Sequence, residues 1–130
     1  VRGFLAASGI CPQKRNTRTA SGSDLKQQTP FPVSPESVQA GHRLYQKEAK
    51  PMACRLCHGI RGNGNGRLAV NMEPPPRNFT CLKIMKTLPD GQLVWIIKNG
   101  SKGTKMPAHK STLWDREIWQ LIHYLRTFAD

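Results

Sequence analysis

Cys54-Arg55-Leu56-Cys57-His58 is the stretch on which the reading of this chain turns. Two thiols three positions apart, followed at once by an imidazole, match the pattern that attaches a c-type haem through its two vinyl groups. The imidazole of His58 then reaches the iron from one face. Two other chemistries use paired thiols. A thioredoxin-like redox pair is expected after a strand in a βαβ unit, but the residues before Cys54 carry a helical period. A zinc site asks for a second closely spaced ligand pair, and the remaining cysteines, Cys11 and Cys81, stand alone.

The residues before the motif place Val38, Gly41, Leu44 and Tyr45 on one face of a helix predicted over Glu36–Ala49. After it comes a long connection, Gly59–Thr87, rich first in Gly and then in Pro (Pro74, Pro75, Pro76). A structureless loop of that length is out of place in a compact domain unless it packs on something other than protein. Its Gly62–Gly66 stretch lacks the preceding strand and the Gly-Lys-Ser/Thr ending of a phosphate loop. A second helix is predicted over Asp90–Asn99, stopped by Gly100. A third is predicted over Leu113–Phe128, with Thr112 and Asp115 as a capping-box-like start. Ile118, Trp119, Ile122, Leu125 and Phe128 make its apolar stripe. Strand patterns are absent, so the fold class is all-α: about three main helices with long loops. Residues 1–33 show no sustained period and read as an irregular basic arm; residues 34–130 form the domain proper.

From about Val38 onward the chain resembles a class I c-type cytochrome of the small bacterial monohaem type. Gly41 and Tyr45 match the Gly and the aromatic of that family's N-terminal helix, and Leu121, Tyr124 and Leu125 fall where its C-terminal helix crosses. Pro-Pro-Pro-Arg-Asn-Phe at 74–79 is similar to the loop before its middle helix, and Gly-Thr-Lys-Met-Pro at 103–107 to the segment that presents the distal methionine. The resemblance implies the cytochrome c fold around one covalent haem c, held through Cys54 and Cys57 and ligated by His58. The family often has a Pro after the Gly-rich turn whose carbonyl holds the His ligand. Here Arg67 stands at that place.

Met106 is the expected distal ligand. A soft neutral donor suits an iron that cycles without substrate, and Met/His ligation raises the reduction potential. Gly103 and Pro107 flank Met106 in a polar loop, an odd setting for a packing residue. His109, three residues on, is its rival. Met72 and Met85 read as core filler, and Met52 sits too near the attachment motif to reach the opposite face. His42 and His123, like His109 if it is not a ligand, read as ordinary surface or helix histidines.

Composition bounds the rest. The chain has 130 residues, with 20 Lys and Arg against 8 Asp and Glu, a net charge of +12. Such an excess suits an acidic partner, an anionic lipid or a nucleic acid; no groove-reading motif supports the last. Lys83, Lys86, Lys98, Lys102, Lys105 and Lys110 cluster around the middle helix and the Met106 loop. There they would steer an acidic redox protein, donor or acceptor, toward a haem edge. No run is apolar enough to span a bilayer. Val1–Ile10 is too weak for a complete secretory signal and fits the trimmed start of an exported, periplasmic protein. Cys11 and Cys81 are either a disulfide tying arm to body or two thiols; spacing leaves both open. The expected function is one-electron transfer outside the cytoplasm, by a diffusing carrier or a subunit docked in a larger oxidoreductase through its arm, rather than an enzyme in its own right. The alternative is a haem enzyme or a gas- or peroxide-binding subunit with a labile distal ligand. Deleting residues 1–33 is expected to leave the haem spectrum intact while weakening one partner interaction.

Overall fold

The computed structural model describes residues 10–13 and 15–129. The opening stretch Val1–Gly9, and with it most of the trimmed-leader reading, lies outside the described residues. The elements in chain order are α1 (Gly22–Leu25), α2 (Pro35–Arg43), a π turn (Leu44–Glu48), α3 (Arg55–His58), a 3-10 turn (Arg67–Ala69), α4 (Leu82–Met85), α5 (Asp90–Asn99), α6 (Asp115–Leu125) and a closing 3-10 turn (Arg126–Ala129). No strand is present among the described residues, and the all-α class holds.

The first long helix begins where its chemistry says it should. Pro35 sits in the first turn, where its missing N–H costs nothing, and the Ser34 and Ser37 side chains each accept from the other's backbone N–H at 3.0 Å. Its last turn widens into a π turn closed by Ala49 N donating to the Leu44 carbonyl at 3.0 Å. α5 coincides with its predicted span and ends at Gly100, whose φ of 73° is one that other residues adopt only with strain. α6 begins two residues later than expected. Its cap is Glu117, whose Oε1 accepts from the Trp114 N–H at 2.8 Å. Thr112 instead donates to the Lys50 carbonyl at 2.6 Å and ties the helix entrance to the segment just after the π turn.

The core lies where α2 and its π turn, α5 and α6 meet. Tyr45 and Ile118 are fully buried, with Leu121, Ile122, Val94 and Met85 nearly so. α2 and α6 cross at Gly41: a Cβ there would meet Tyr124 Cβ at 2.7 Å and clash with the Gln120 carbonyl. The Gly is therefore what lets the two backbones touch. Met85 packs in this core, as expected of a filler methionine.

Among the described residues the arm packs against the body. The Gln92 side chain donates to the Arg18 carbonyl and accepts from Ala20 N, both at 2.8 Å. Gln13 exchanges hydrogen bonds with the Pro76 carbonyl at 2.9 Å and with Asn78 N at 2.8 Å. Cys11 and Cys81 form a disulfide with a Cα–Cα distance of 5.4 Å, which resolves the choice that spacing left open.

Candidate haem site

α3 is a single turn, and that is its purpose. His58 N and Cys57 N both donate to the Cys54 carbonyl, at 2.9 and 3.2 Å, so both thiols and the imidazole line one cavity of about 370 Å³. The turn is stitched to the π turn before it. Tyr45 Oη donates to the Gly59 carbonyl at 2.6 Å, Arg55 Nε to the Gln46 carbonyl at 2.7 Å, and Gln46 Nε2 to the Ile60 carbonyl at 3.1 Å. The π turn re-aims Tyr45 and Gln46, one reason such turns occur at functional sites.

His58 is oriented by the long loop. Its Nδ1–H donates to the Arg77 carbonyl at 3.1 Å, and its ring stacks on Phe79 at 4.5 Å between centroids. The carbonyl sought near Arg67 is thus supplied by Arg77, ten residues on; Arg67 is exposed on its 3-10 turn. With Nδ1 committed, Nε2 is the nitrogen free to bind a metal. Burial, followed in weight by the opposing Arg77 carbonyl bond and by the nearby Arg15, Arg77 and His109 charges, pushes the imidazole down to about 4. The ring is neutral at ordinary pH, as a ligand must be.

The thiols point away from redox-thiol chemistry. Burial pushes Cys54 up to about 12 and raises Cys57 also, whereas a reactive thioredoxin-like cysteine has a lowered value. Among the described residues no three His, Cys, Asp or Glu side chains gather as a zinc site would require.

Met106 and His109 line the same cavity. The Met106 backbone is held on both sides: its N–H donates to Thr104 Oγ1 at 3.1 Å, and its carbonyl accepts from Ser101 N at 3.2 Å. His109 is 3% exposed, and its Nδ1–H donates to the Ile97 carbonyl at 3.2 Å. It is thus a buried loop histidine rather than a surface or helix one, whereas His123 lies buried on α6 and His42 exposed on α2. Met72 corrects another expectation, because it lines the cavity rather than filling the core.

Of the six lysines, Lys105 reaches the cavity wall, and Lys83, Lys86, Lys102 and Lys110 are also exposed. Lys98 is half-buried and pairs with Asp115 at 3.1 Å, so it is the least available for docking. Sequence reasoning missed the arm: Arg15, Thr17, Thr19 and Leu25 are part of the cavity wall. Residues so far from the motif carry no local spacing signal. The expectation that residues 1–33 can be deleted without touching the pocket is revised accordingly.

The cavity has the features a haem requires: mostly apolar walls from α5, α6 and the Pro74–Pro76 segment, two un-ionised thiols, a neutral imidazole with one free nitrogen, and a thioether. Fold and pocket define a c-type cytochrome domain. The sequence profile of the family described as cytochrome c oxidase, cbb3-type, subunit III matches residues 36–125, and the chain belongs to that family. Membership implies covalently bound haem c. A solved structure, the Kuenenia stuttgartiensis reducing HAO-like protein complex, contains a chain with 28% identity and a TM-score of 0.68. The match covers 78% of this chain and 48% of that one, so this chain spans about half of its solved relative. No curated protein sequence matches. No helix among the described residues is long and apolar enough to cross a membrane.

Proposed function

We propose that this protein is a one-electron carrier with a single haem attached through Cys54 and Cys57, its iron held by His58 and Met106. The observation that carries the reading is that these four side chains, from two segments far apart in the sequence, line one largely apolar cavity. Bound there, haem c supplies a ferrous/ferric couple, whose potential Met/His ligation sets high. The protein's own share is positional. The Arg77 carbonyl fixes the His58 tautomer, Phe79 fixes the ring plane, and the Ser101–Met106 hydrogen bonds hold the thioether loop. The apolar walls exclude water.

The exposed Lys83, Lys86, Lys102, Lys105 and Lys110 support an acidic protein partner, met by fast, salt-sensitive association. That the solved relative belongs to a multi-subunit complex supports a docked subunit as well as a diffusing carrier. Attachment of haem through paired thiols, together with the Cys11–Cys81 bridge, supports an exported, periplasmic location. One observation favours the second reading, a haem site with a labile distal ligand: the buried His109 beside Met106 offers a polar group. Absorption spectra of the oxidised and reduced protein separate the two. A c-type haem spectrum with the weak red-edge iron–sulfur band, and slow or no binding of CO, supports the carrier. Haem bands without the sulfur band, and rapid CO binding, overturn it in favour of the open site.

A further inference from the structure

The cavity wall carries no carboxylate among the described residues, yet Arg15, Arg77 and Lys105 all reach it. Arg15 comes from the arm and lies outside the residues matched by the family, 36–125. Its Nη1 donates to the Pro75 carbonyl. Its Nε is buried and has no hydrogen-bond partner, the only side-chain atom in that condition among the described residues. A buried N–H left unmet is costly enough to be rare in native proteins. Arg77 makes one long side-chain bond, from Nη2 to Thr17 Oγ1 at 3.3 Å, leaving most of its five donors uncommitted.

Both guanidiniums are partly desolvated, and they repel each other. Burial and then the Arg15 charge lower Arg77 to about 10, and burial lowers Arg15 as well. The ion pairs among the described residues, Lys98–Asp115 and Arg126–Asp90, involve neither. Among the described residues no acidic side chain pairs with these two cations, which line the same largely apolar slot. Their position is nonetheless set without a ligand. Gln13 and the Cys11–Cys81 bridge fasten the arm on one side of Arg15, and the Gln92 side chain fastens it at Arg18 and Ala20 on the other.

We propose that Arg15 and Arg77 form a clamp for the carboxylate groups that a bound haem carries on one edge, which makes the N-terminal arm part of the cofactor site. The inference rests on the haem reading above. Arg forks suit carboxylates because two parallel N–H donors meet two oxygens. The buried Arg15 Nε is then a donor awaiting its acceptor. The clamp keeps the carboxylates ionised, and it gives the arm a role that docking alone does not explain.

The test uses the full-length protein with its haem. Covalent haem is first confirmed in the wild type from the pyridine haemochrome spectrum and intact mass; its absence overturns the haem reading itself. Midpoint potentials are then measured for the wild type, R15Q, R15K and R77Q from about pH 4 to pH 8, the range in which carboxylates titrate. R77Q leaves the backbone carbonyl that holds His58. R15Q and R77Q are expected to keep their haem and to lower the potential at neutral pH. The expected change is on the order of tenfold in the equilibrium constant, about 59 mV for one electron, because removing a nearby cation favours the more positive oxidised state. Their potentials should also show a pH-dependent step at higher pH than in the wild type, since the carboxylates have lost a positive neighbour. R15K, which keeps the charge, should recover most of the wild-type potential. Potentials and pH profiles of R15Q and R77Q that superimpose on the wild type overturn the clamp, whatever the variants do to thermal stability. In that event the arginines await an acidic group from a partner or serve only to strap the arm.

Discussion

Met106 and His109 share a wall of one cavity but are held differently. Met106 sits in a loop fastened through its backbone, leaving its thioether free to serve as a ligand, while the His109 ring is itself fastened to the Ile97 carbonyl of α5. Met106→Ala is therefore expected to abolish the red-edge iron–sulfur band and admit CO, whereas His109→Ala keeps the band. Spectra of the two variants side by side check this, and the opposite pattern would make His109 the ligand. Phe79 bears on His58, the proposed proximal ligand. It is 7% exposed and stacks on His58. Phe79→Ala should cost about 3 kcal/mol in chemical denaturation and broaden the iron spectrum as the ring loses its plane.

At the scale of elements, the α2–α6 crossing depends on one missing Cβ. Gly41→Ala drives a methyl into the Gln120 carbonyl and Tyr124, and an overpacked contact of this kind costs about 1–3 kcal/mol. Denaturant titration should show that loss with the haem bands unchanged, because Gly41, Gln120 and Tyr124 are not among the residues that line the cavity. The arm behaves in the reverse way. The Cys11–Cys81 bridge closes 70 residues, and replacing both cysteines by Ser should cost about 2–4 kcal/mol through the entropy the bridge removes from the unfolded chain. Deleting residues 1–33 removes the bridge together with Arg15, Thr17 and Leu25. The truncated protein should bind CO faster and show a shifted potential, and an unchanged haem site would return the arm to a docking role alone.

For the whole molecule, His123 links three segments. Thr29 Oγ1 uses its proton on the Phe31 carbonyl at 2.7 Å, so it accepts from His123 Nε2–H at 2.8 Å; Nδ1 faces the Ser37 hydroxyl at 2.8 Å. The neutral ring thereby fastens the arm and the start of α2 to α6. Burial holds its pKa below 6.5, with Asp90 pulling the other way. In the window below 6.5 the unfolded chain binds more protons than the folded one. The stability tied to the neutral ring is therefore complete above 6.5 and lost as pH falls through the folded value. Denaturation at about pH 5 and pH 7 should show this loss in the wild type and a smaller one in His123→Gln. The charge of +12 acts at the same scale: association with an acidic redox partner should slow steeply between low and physiological ionic strength.

Much of this was legible in the chain. The pentapeptide, the exact span of α5 and its Gly100 stop, the apolar stripe of α6 and the closeness demanded at Gly41 are local patterns, because helical periods and attachment spacings are set within a few residues. Local pattern is thus enough for a helical c-type cytochrome domain, and it offers Cys54, Cys57 and His58 as the attachment turn with Met106 and His109 as candidate distal ligands. It takes the folded chain to show that Arg77 rather than a residue near Arg67 orients His58, that a π turn bonds to the Cys54–His58 turn, that His123 is buried, and that part of the arm walls the cavity. Most of these are pairings across tens of residues, made by backbone carbonyls and side chains that any sequence offers in plenty; which of them meet is settled by packing the apolar faces together, and no local pattern records that outcome.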